Sequence, residues 1–291
     1  MGGRWDATNV ADGRVAVVTP ISLDHTELLG PDEISIAREK AGIIEPAATV
    51  VLAEQCPDVM EVLVERARLI GADVVGPGEG VRVVGRTPRP DGQLLHLAGW
   101  LGRYPETLLP LLGAHQAQNA ATAVGAVAAF LGWAGRSVDP VATSEALART
   151  KSPGRLDLLS ADPPVLVDAA HNPSGARTSL AAVREEFPGK ELVVVLDVLA
   201  DKDVDGLLSA LAPGVGQLIA AENTSSRHLL AAELASRAAT VVCPAHVRLQ
   251  PDLGRALDEA RASAVARDAV LLVTGSVVTA GEALTQLRSR P

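Results

Sequence analysis

Certain stretches of this chain combine residue types that can do chemistry. Ser22-Leu23-Asp24-His25 directly follows the β-branched run Val15–Thr19. Ligands of open α/β sheets gather at the carboxyl ends of strands, so an Asp-His pair there suits a metal ion or a phosphate. The same aspartate would equally serve as the cap of a helix beginning near Thr26. Glu39-Lys40-Ala41-Gly42-Ile43-Ile44 places a lysine in an otherwise apolar segment ahead of a strand. On a solvated helix face such a lysine is ordinary. Buried at low polarity its pKa would fall, and the neutral amine could take up carbon dioxide, giving a carbamate with two oxygens for a hard cation.

Gly113-Ala114-His115-Gln116-Ala117-Gln118-Asn119-Ala120-Ala121 opens a helix with polar residues one turn apart. It reads as a helix start that approaches a ligand closely, or as simple capping. Pro153-Gly154-Arg155 puts an arginine at a chain joint. Its planar fork suits a phosphate across a cleft, unless it is a surface residue of a linker. In Val165-Leu166-Val167-Asp168-Ala169-Ala170-His171-Asn172-Pro173 a strand ends in Asp and His before a helix starts at Pro. That is the pattern of a nucleotide-contacting turn. Each stretch taken singly also has a purely structural reading.

The elements that must position these residues follow from apolar patterning. Continuous runs at Val15–Thr19, Thr49–Leu52, Val165–Asp168, Leu192–Leu196, Gln217–Ala220, Thr240–Cys243 and Ala269–Thr274 predict strands buried on both faces. Helical periods lie between them at Pro57–Ile70, Gln116–Leu131, Pro173–Glu186, Val204–Leu211, Ser226–Ala238 and Pro251–Ala266. Alternation of the two kinds predicts an α/β architecture. Gly80–Pro110, rich in Gly and Pro, reads as a β-hairpin excursion. Punctuation at residues 135–155 sets a boundary between a first domain at 1–140 and a second, compact one at 152–291.

Composition excludes several classes. A net charge of −9 and 2% aromatic residues argue against a nucleic-acid partner. No apolar run approaches the roughly 18 residues of a membrane span. No apolar stretch follows the charged start Met1-Gly2-Gly3-Arg4-Trp5-Asp6, so a cytoplasmic protein without a signal peptide is expected. Cys56 and Cys243, far apart, build neither a disulfide framework nor a zinc site.

In their order the motifs resemble the folylpolyglutamate synthase and dihydrofolate synthase family, relatives of the amino-acid ligases of peptidoglycan synthesis. The resemblance rests on Gly2-Gly3-Arg4-x-Asp6-Ala7-Thr8-Asn9, Asp24-His25-x-x-x-Leu29-Gly30, Glu39-Lys40-Ala41-Gly42-Ile43, His115-Gln116-x-x-Asn119-Ala120, Gly154-Arg155 and Asp168-x-Ala170-His171-Asn172-Pro173. Asp201-Lys202-Asp203 and Thr274-Gly275-Ser276 extend it. It implies the C-terminal part of a P-loop-type, Mur-ligase-like ATPase domain, followed by a Rossmann-like ligase domain.

Roles follow from the same resemblance. His25 stands as a magnesium ligand, and Lys40 as the carbamylated lysine supporting a second cation. Asn119 stands where the family contacts adenine, Arg155 on the ATP phosphates and Asp168 on the ribose, with His171 beside it. Trp5, Asp6 and Ala7 fall where the pterin substrate is contacted, Trp5 replacing the family's usual Leu. The implied cofactors are ATP and Mg2+. The implied reaction phosphorylates a carboxylate of dihydropteroate or of a folate glutamyl tail, and the amine of L-glutamate then attacks the acyl phosphate. The full-length protein is expected to be a monomer.

The chain departs from this pattern in one respect. None of its four lysines, Lys40, Lys151, Lys190 and Lys202, lies in a Gly-Lys-Ser/Thr phosphate loop. In the family that loop, and a magnesium-binding glutamate, precede the Gly-Gly-Arg motif. The expectation is a chain without the front half of its ATPase domain, through a misassigned start or as a fragment, and inactive as a ligase by itself. The alternative is a non-catalytic nucleotide- or folate-binding module, or a subunit completed by a partner that bears the P-loop.

Overall fold

The computed structural model describes residues 3, 7–11, 13–24, 26–100 and 102–289. The chain divides into two compact units, Met1–Pro110 with Ala114–Thr150, and Leu111–Gly113 with Lys151–Pro291. No helix among the described residues is long and apolar enough to cross a membrane.

In the first unit, β1 (Val15–Val18) leads through α1 (Thr26–Leu29) and α2 (Glu33–Lys40) to β2 (Thr49–Leu52). From there α3 (Pro57–Ile70) crosses to β3 (Asp73–Val75). The strands form a parallel sheet in the order β1-β2-β3, Val15 opposite Thr49 and Thr49 opposite Asp73. Val59, Leu63 and Ala67 recur every fourth residue of α3 and are buried with Ile44 and Ala37 against Ala16, Val18, Val50 and Leu52. That spacing makes one helix face apolar. Gly71 ends α3 in the left-handed conformation at φ +70°, which glycine adopts without strain.

The Gly- and Pro-rich segment holds the hairpin of β4 (Val81–Arg89) and β5 (Gly92–Gly99). Two shorter strands, β6 (Gly102–Arg103) and β7 (Thr107–Leu109), both pair antiparallel with β5. The unit closes with α4 (Ala114–Trp133) and α5 (Pro140–Ala148).

The second unit runs β8 (Asp157–Ala161), β9 (Pro164–Val167), α6 (Pro173–Glu186), β10 (Leu192–Leu196), α7 (Val204–Leu211) and β11 (Val215–Glu222). It continues with α8 (Ala231–Ala238), β12 (Val247–Asp252), α9 (Leu253–Arg267), β13 (Val270–Thr274) and α10 (Val277–Arg288). The sheet order is β12-β11-β10-β13-β9-β8, parallel except for β8. Alternate residues feed two cores, as the two-residue period of a strand demands. Leu166, Val194, Leu196, Leu218 and Leu272 pack with α6, α7 and α8, whereas Val167, Val193, Val195, Ile219 and Val273 pack with α9 and α10.

Two expectations are corrected. Thr240–Cys243 is not a strand, despite its β-branched residues. Its N–H groups continue α8 instead, Thr240 to Arg237 O at 3.1 Å and Val242 to Ala238 O at 2.8 Å. The strand of this region is β12, an edge strand whose exposed Arg248, Leu249, Pro251 and Asp252 show no continuous apolar run. The helix expected over Ser226–Ala238 begins only at Ala231, because His228 is drawn into an antiparallel bridge with Leu199.

Candidate functional site

One side chain clasps the carboxyl ends of β1 and β2. Gln55, just past β2, accepts the Ile21 N–H at 2.9 Å and donates to the Thr19 carbonyl at 3.0 Å. This fixes the start of the Ser22-Leu23-Asp24 loop, where Asp24 is half-buried. His25 lies outside the described residues. Beyond α1, the helix α2 is capped by Asp32, which accepts the Ser35 N–H at 2.7 Å. That bond holds the Asp32 carboxyl below the usual carboxylate range.

Lys40 is the last residue of α2 and is half-buried. Ala41 and Ile44 just beyond it are buried, so the lysine rises from an apolar footing. It stands where the free carbonyls of a helix end favour a cation. The amino-terminal motif meets this segment through its backbone. Gly3 is buried at φ +112°, and a Cβ there would lie 2.4 Å from the Glu39 carbonyl oxygen. Asn9 donates to the carbonyls of Gly3 at 2.8 Å and of Gly42 at 3.4 Å. Ala7 is exposed on a 3-10 turn, Ala7–Val10. Trp5 and Asp6 lie outside the described residues. On α4, His115 is half-buried, and the exposed Asn119 donates to Gln116 Oε1 at 3.2 Å.

The second unit gathers more of the expected residues. Asp168, just past β9, is 6% exposed and accepts the Ser179 hydroxyl from α6. The N–H of Ala169 donates to the Gly154 carbonyl at 2.8 Å, which sets the Gly154-Arg155 turn beside this strand end. Gly154 takes φ +71°, and the Arg155 side chain is exposed. The Ala170 carbonyl accepts from Gly275 N at 2.9 Å and from the Thr274 hydroxyl at 3.2 Å. His171 is half-buried, with Nδ1 3.0 Å from the Ala169 carbonyl. That bond puts the proton on Nδ1 and leaves Nε2 as the basic nitrogen of the neutral ring. Asn172 caps α6 by accepting the Gly175 N–H at 2.8 Å. Arg155, Asp168 and His171 thus share one end of one strand.

The acids of Asp201-Lys202-Asp203 have structural work. Arg227 grips Asp201 with both arms, at 2.7 and 3.2 Å, and holds its carboxyl below the ordinary range. Asp203 caps α7 through the Gly206 N–H at 2.9 Å. Lys202 is half-buried. Sequence reasoning overlooked Asp197, although it follows the run Leu192–Leu196 as Asp168 follows its own strand. Asp197 is buried, and desolvation pushes its pKa up to about 6. Among the described residues no three His, Cys, Asp or Glu side chains converge to hold a metal ion.

The chain is similar to known proteins along its whole length. Residues 154–277 match the model of the Mur ligase, glutamate ligase domain family. A dihydrofolate synthase/folylpolyglutamate synthase of Mycobacterium tuberculosis is 43% identical over 304 residues, covering 98% of this chain and 62% of the relative. The chain therefore spans less than two thirds of that relative's length. The structure of Mycobacterium tuberculosis folylpolyglutamate synthase complexed with ADP and AMPPCP superposes with a TM-score of 0.92 at 42% identity, covering all of this chain and 67% of that one. Escherichia coli FolC in complex with DHPP and ADP gives a TM-score of 0.84 at 30% identity over 100% of this chain and 65% of its own. With the ordered motifs, the two-unit α/β fold and these likenesses in agreement, the chain belongs to the dihydrofolate synthase/folylpolyglutamate synthase family.

Proposed function

We propose that the protein takes part in the ATP-dependent ligation of L-glutamate to dihydropteroate or a folate. The observation that carries the reading is the Ala169–Gly154 backbone bond, which puts Arg155 at the strand end that bears Asp168 and His171. An exposed guanidinium beside a buried, oriented carboxylate suits a nucleotide, the first for phosphate oxygens and the second for ribose hydroxyls. Asn119, exposed on α4, is proposed for the adenine. Ala7, with Trp5 and Asp6, is proposed for the pterin.

In the proposed reaction a carboxylate oxygen attacks the γ-phosphorus and ADP leaves. The glutamate amine then attacks the acyl carbon, loses a proton, and phosphate departs. Arg155 would offset charge on the transferring group, and such preorganised charge is the main source of rate in phosphoryl transfer. A divalent cation, proposed as Mg2+, supplies further neutralisation when bound with the nucleotide. Among the described residues no three His, Cys, Asp or Glu side chains converge on a site for it. Lys40 and His25 are the residues proposed to face it.

The 291 residues contain no Gly-Lys-Ser/Thr loop, so the test adds one. The chain is fused to the segment of a relative that bears the family's phosphate loop, and ADP formation is measured with dihydropteroate or folate, with and without glutamate. Glutamate-dependent ADP formation is expected. A folded fusion that binds ADP while its ATP hydrolysis ignores both substrates would replace the ligase by a nucleotide-binding module.

A further inference from the structure

Asp197 follows β10, and no solvent reaches it: the residue is 0% exposed. Its Oδ2 accepts the Thr279 hydroxyl at 2.9 Å, while Oδ1 has no hydrogen-bond partner among the described residues. Counting lone pairs assigns the hydroxyl protons around it. Ser276 Oγ accepts the Thr279 N–H at 2.9 Å and the Asn223 amide at 3.1 Å, which fills both its lone pairs. Its own proton then goes to Thr279 Oγ1, 2.6 Å away. Thr279 Oγ1 also accepts from Asn223 at 3.1 Å, so its proton is left for Asp197. The Asn223 amide is turned the right way, because its Oδ1 accepts the Ser225 N–H at 2.8 Å. The chain has one direction, from Asn223 through Ser276 and Thr279 to Asp197, and an anionic terminus makes its last bond charge-assisted.

These bonds tie neighbouring strand ends together. Ser276 is the N-cap of α10. The turn just ahead of it, Thr274-Gly275, donates twice to the Ala170 carbonyl, at 3.2 and 2.9 Å, between Asp168 and His171. The same turn backs onto Asp197, whose N–H meets the Thr274 carbonyl at 3.3 Å.

We propose that Asp197 is a positioning residue. Its carboxylate orients Thr279 and Ser276, and so holds the Thr274-Gly275 turn that carries the Asp168–His171 segment. The placement of that segment then depends on the protonation of one buried acid. The meaning for catalysis rests on reading Asp168 and His171 as nucleotide contacts. Two titratable groups bear on Asp197, His228 from the segment after β11 and Glu282 from α10, and they act on it in opposite senses. His228 is itself 3.6 Å from Glu222. With desolvation dominant, the acid titrates near pH 6, a range that buffers and cells cross.

Nuclear magnetic resonance of the whole chain between pH 4.5 and 8 tests this. The amide signals of Gly275, Thr279 and Ala170 are expected to share the midpoint of the Asp197 carboxyl carbon. Asp197→Asn should flatten them, and His228→Gln, which removes a group that lowers the Asp197 pKa, should move the midpoint upward while leaving it shared. Thr279→Val should release Gly275 and Ala170 from a titration that Asp197 still undergoes, and Thr279→Ser should restore it. An unchanged midpoint at Gly275 in Asp197→Asn, or continued coupling in Thr279→Val, overturns the proposal. Adding ADP to the same samples tests the nucleotide reading separately, through shifts at Asp168 and His171, whatever the titrations show.

Discussion

Gly275 and Asp197 are backed so closely that a Cβ on the glycine would lie 2.0 Å from the aspartate's carbonyl oxygen. At φ +120° the glycine also occupies backbone space that side chains avoid. Gly275→Ala should therefore destabilise the second unit by on the order of 3 kcal/mol, as strain and overpacking do elsewhere. Urea unfolding checks it, and a loss below about 0.5 kcal/mol would mean that the turn relaxes freely.

Arg155 is exposed and its backbone, not its side chain, holds the turn. Arg155→Ala in the loop-bearing fusion should lower kcat/KM for ATP by roughly 10²-fold while leaving the melting temperature within about 1 °C. Arg155→Lys should recover little, because a point charge does not replace a planar fork. Equal kinetics for the parent and the alanine variant would remove Arg155 from the phosphate site.

Lys40 offers a sharper chemical contrast. Lys40→Ala in the fusion should lose most turnover, and Lys40→Glu should keep part of it by supplying a carboxylate where a carbamate would stand. Added bicarbonate should raise the parent's rate and leave both variants unmoved. A fully active Lys40→Ala protein would dismiss the carbamate.

Asp197 makes stability depend on pH in a direction opposite to most acids. Its pKa rises from 3.8 to about 6 on folding, so the folded chain holds this proton more tightly than the unfolded one. The stability this adds is complete below about pH 4 and is lost as pH climbs toward 6. A difference of roughly two units corresponds to about 3 kcal/mol. Relative to the parent, Asp197→Asn should thus gain about that much between pH 4 and 8, read from paired urea titrations. A pH-independent difference would contradict the burial argument.

A domain from about residue 152 to 291 is proposed to fold by itself. The chain from Lys151 onward carries the whole six-stranded sheet, and Lys151 and Pro153 are exposed. Limited trypsin digestion should leave a resistant fragment beginning close to this point, at Ser152. Mass spectrometry showing cleavage first inside 160–280 would count against an independent second domain.

What could be read from sequence depended on whether neighbours in space are neighbours in the chain. Pro57–Ile70, Pro173–Glu186 and Val204–Leu211 match the expected helices residue for residue, because each has its own apolar period and local caps. The Asp168–His171 turn was legible for the same reason, as a strand end and helix start in one contiguous run. The Asp197 network was not, since it joins the ends of β10, β11 and β13, and β13 lies between β10 and β9 only through long-range pairing. Thr240–Cys243 misled because β-branching is a weak backbone preference that the last carbonyls of α8 readily override. His25, Trp5 and Asp6 fall outside the described residues and stay as readings of the motifs.

The placement of β13 also has a consequence for how the protein is made. It is the last of these strands to leave the ribosome, yet it fills a central position, with β10 on one side and β9 on the other. Until residues 270–274 are synthesised, two fully apolar strands present unpaired edges to the nascent chain's surroundings. The second unit therefore cannot complete its sheet progressively during translation. Its folding waits for one late segment, and the preceding hundred or so residues form the window in which a chaperone would find open strand edges to hold.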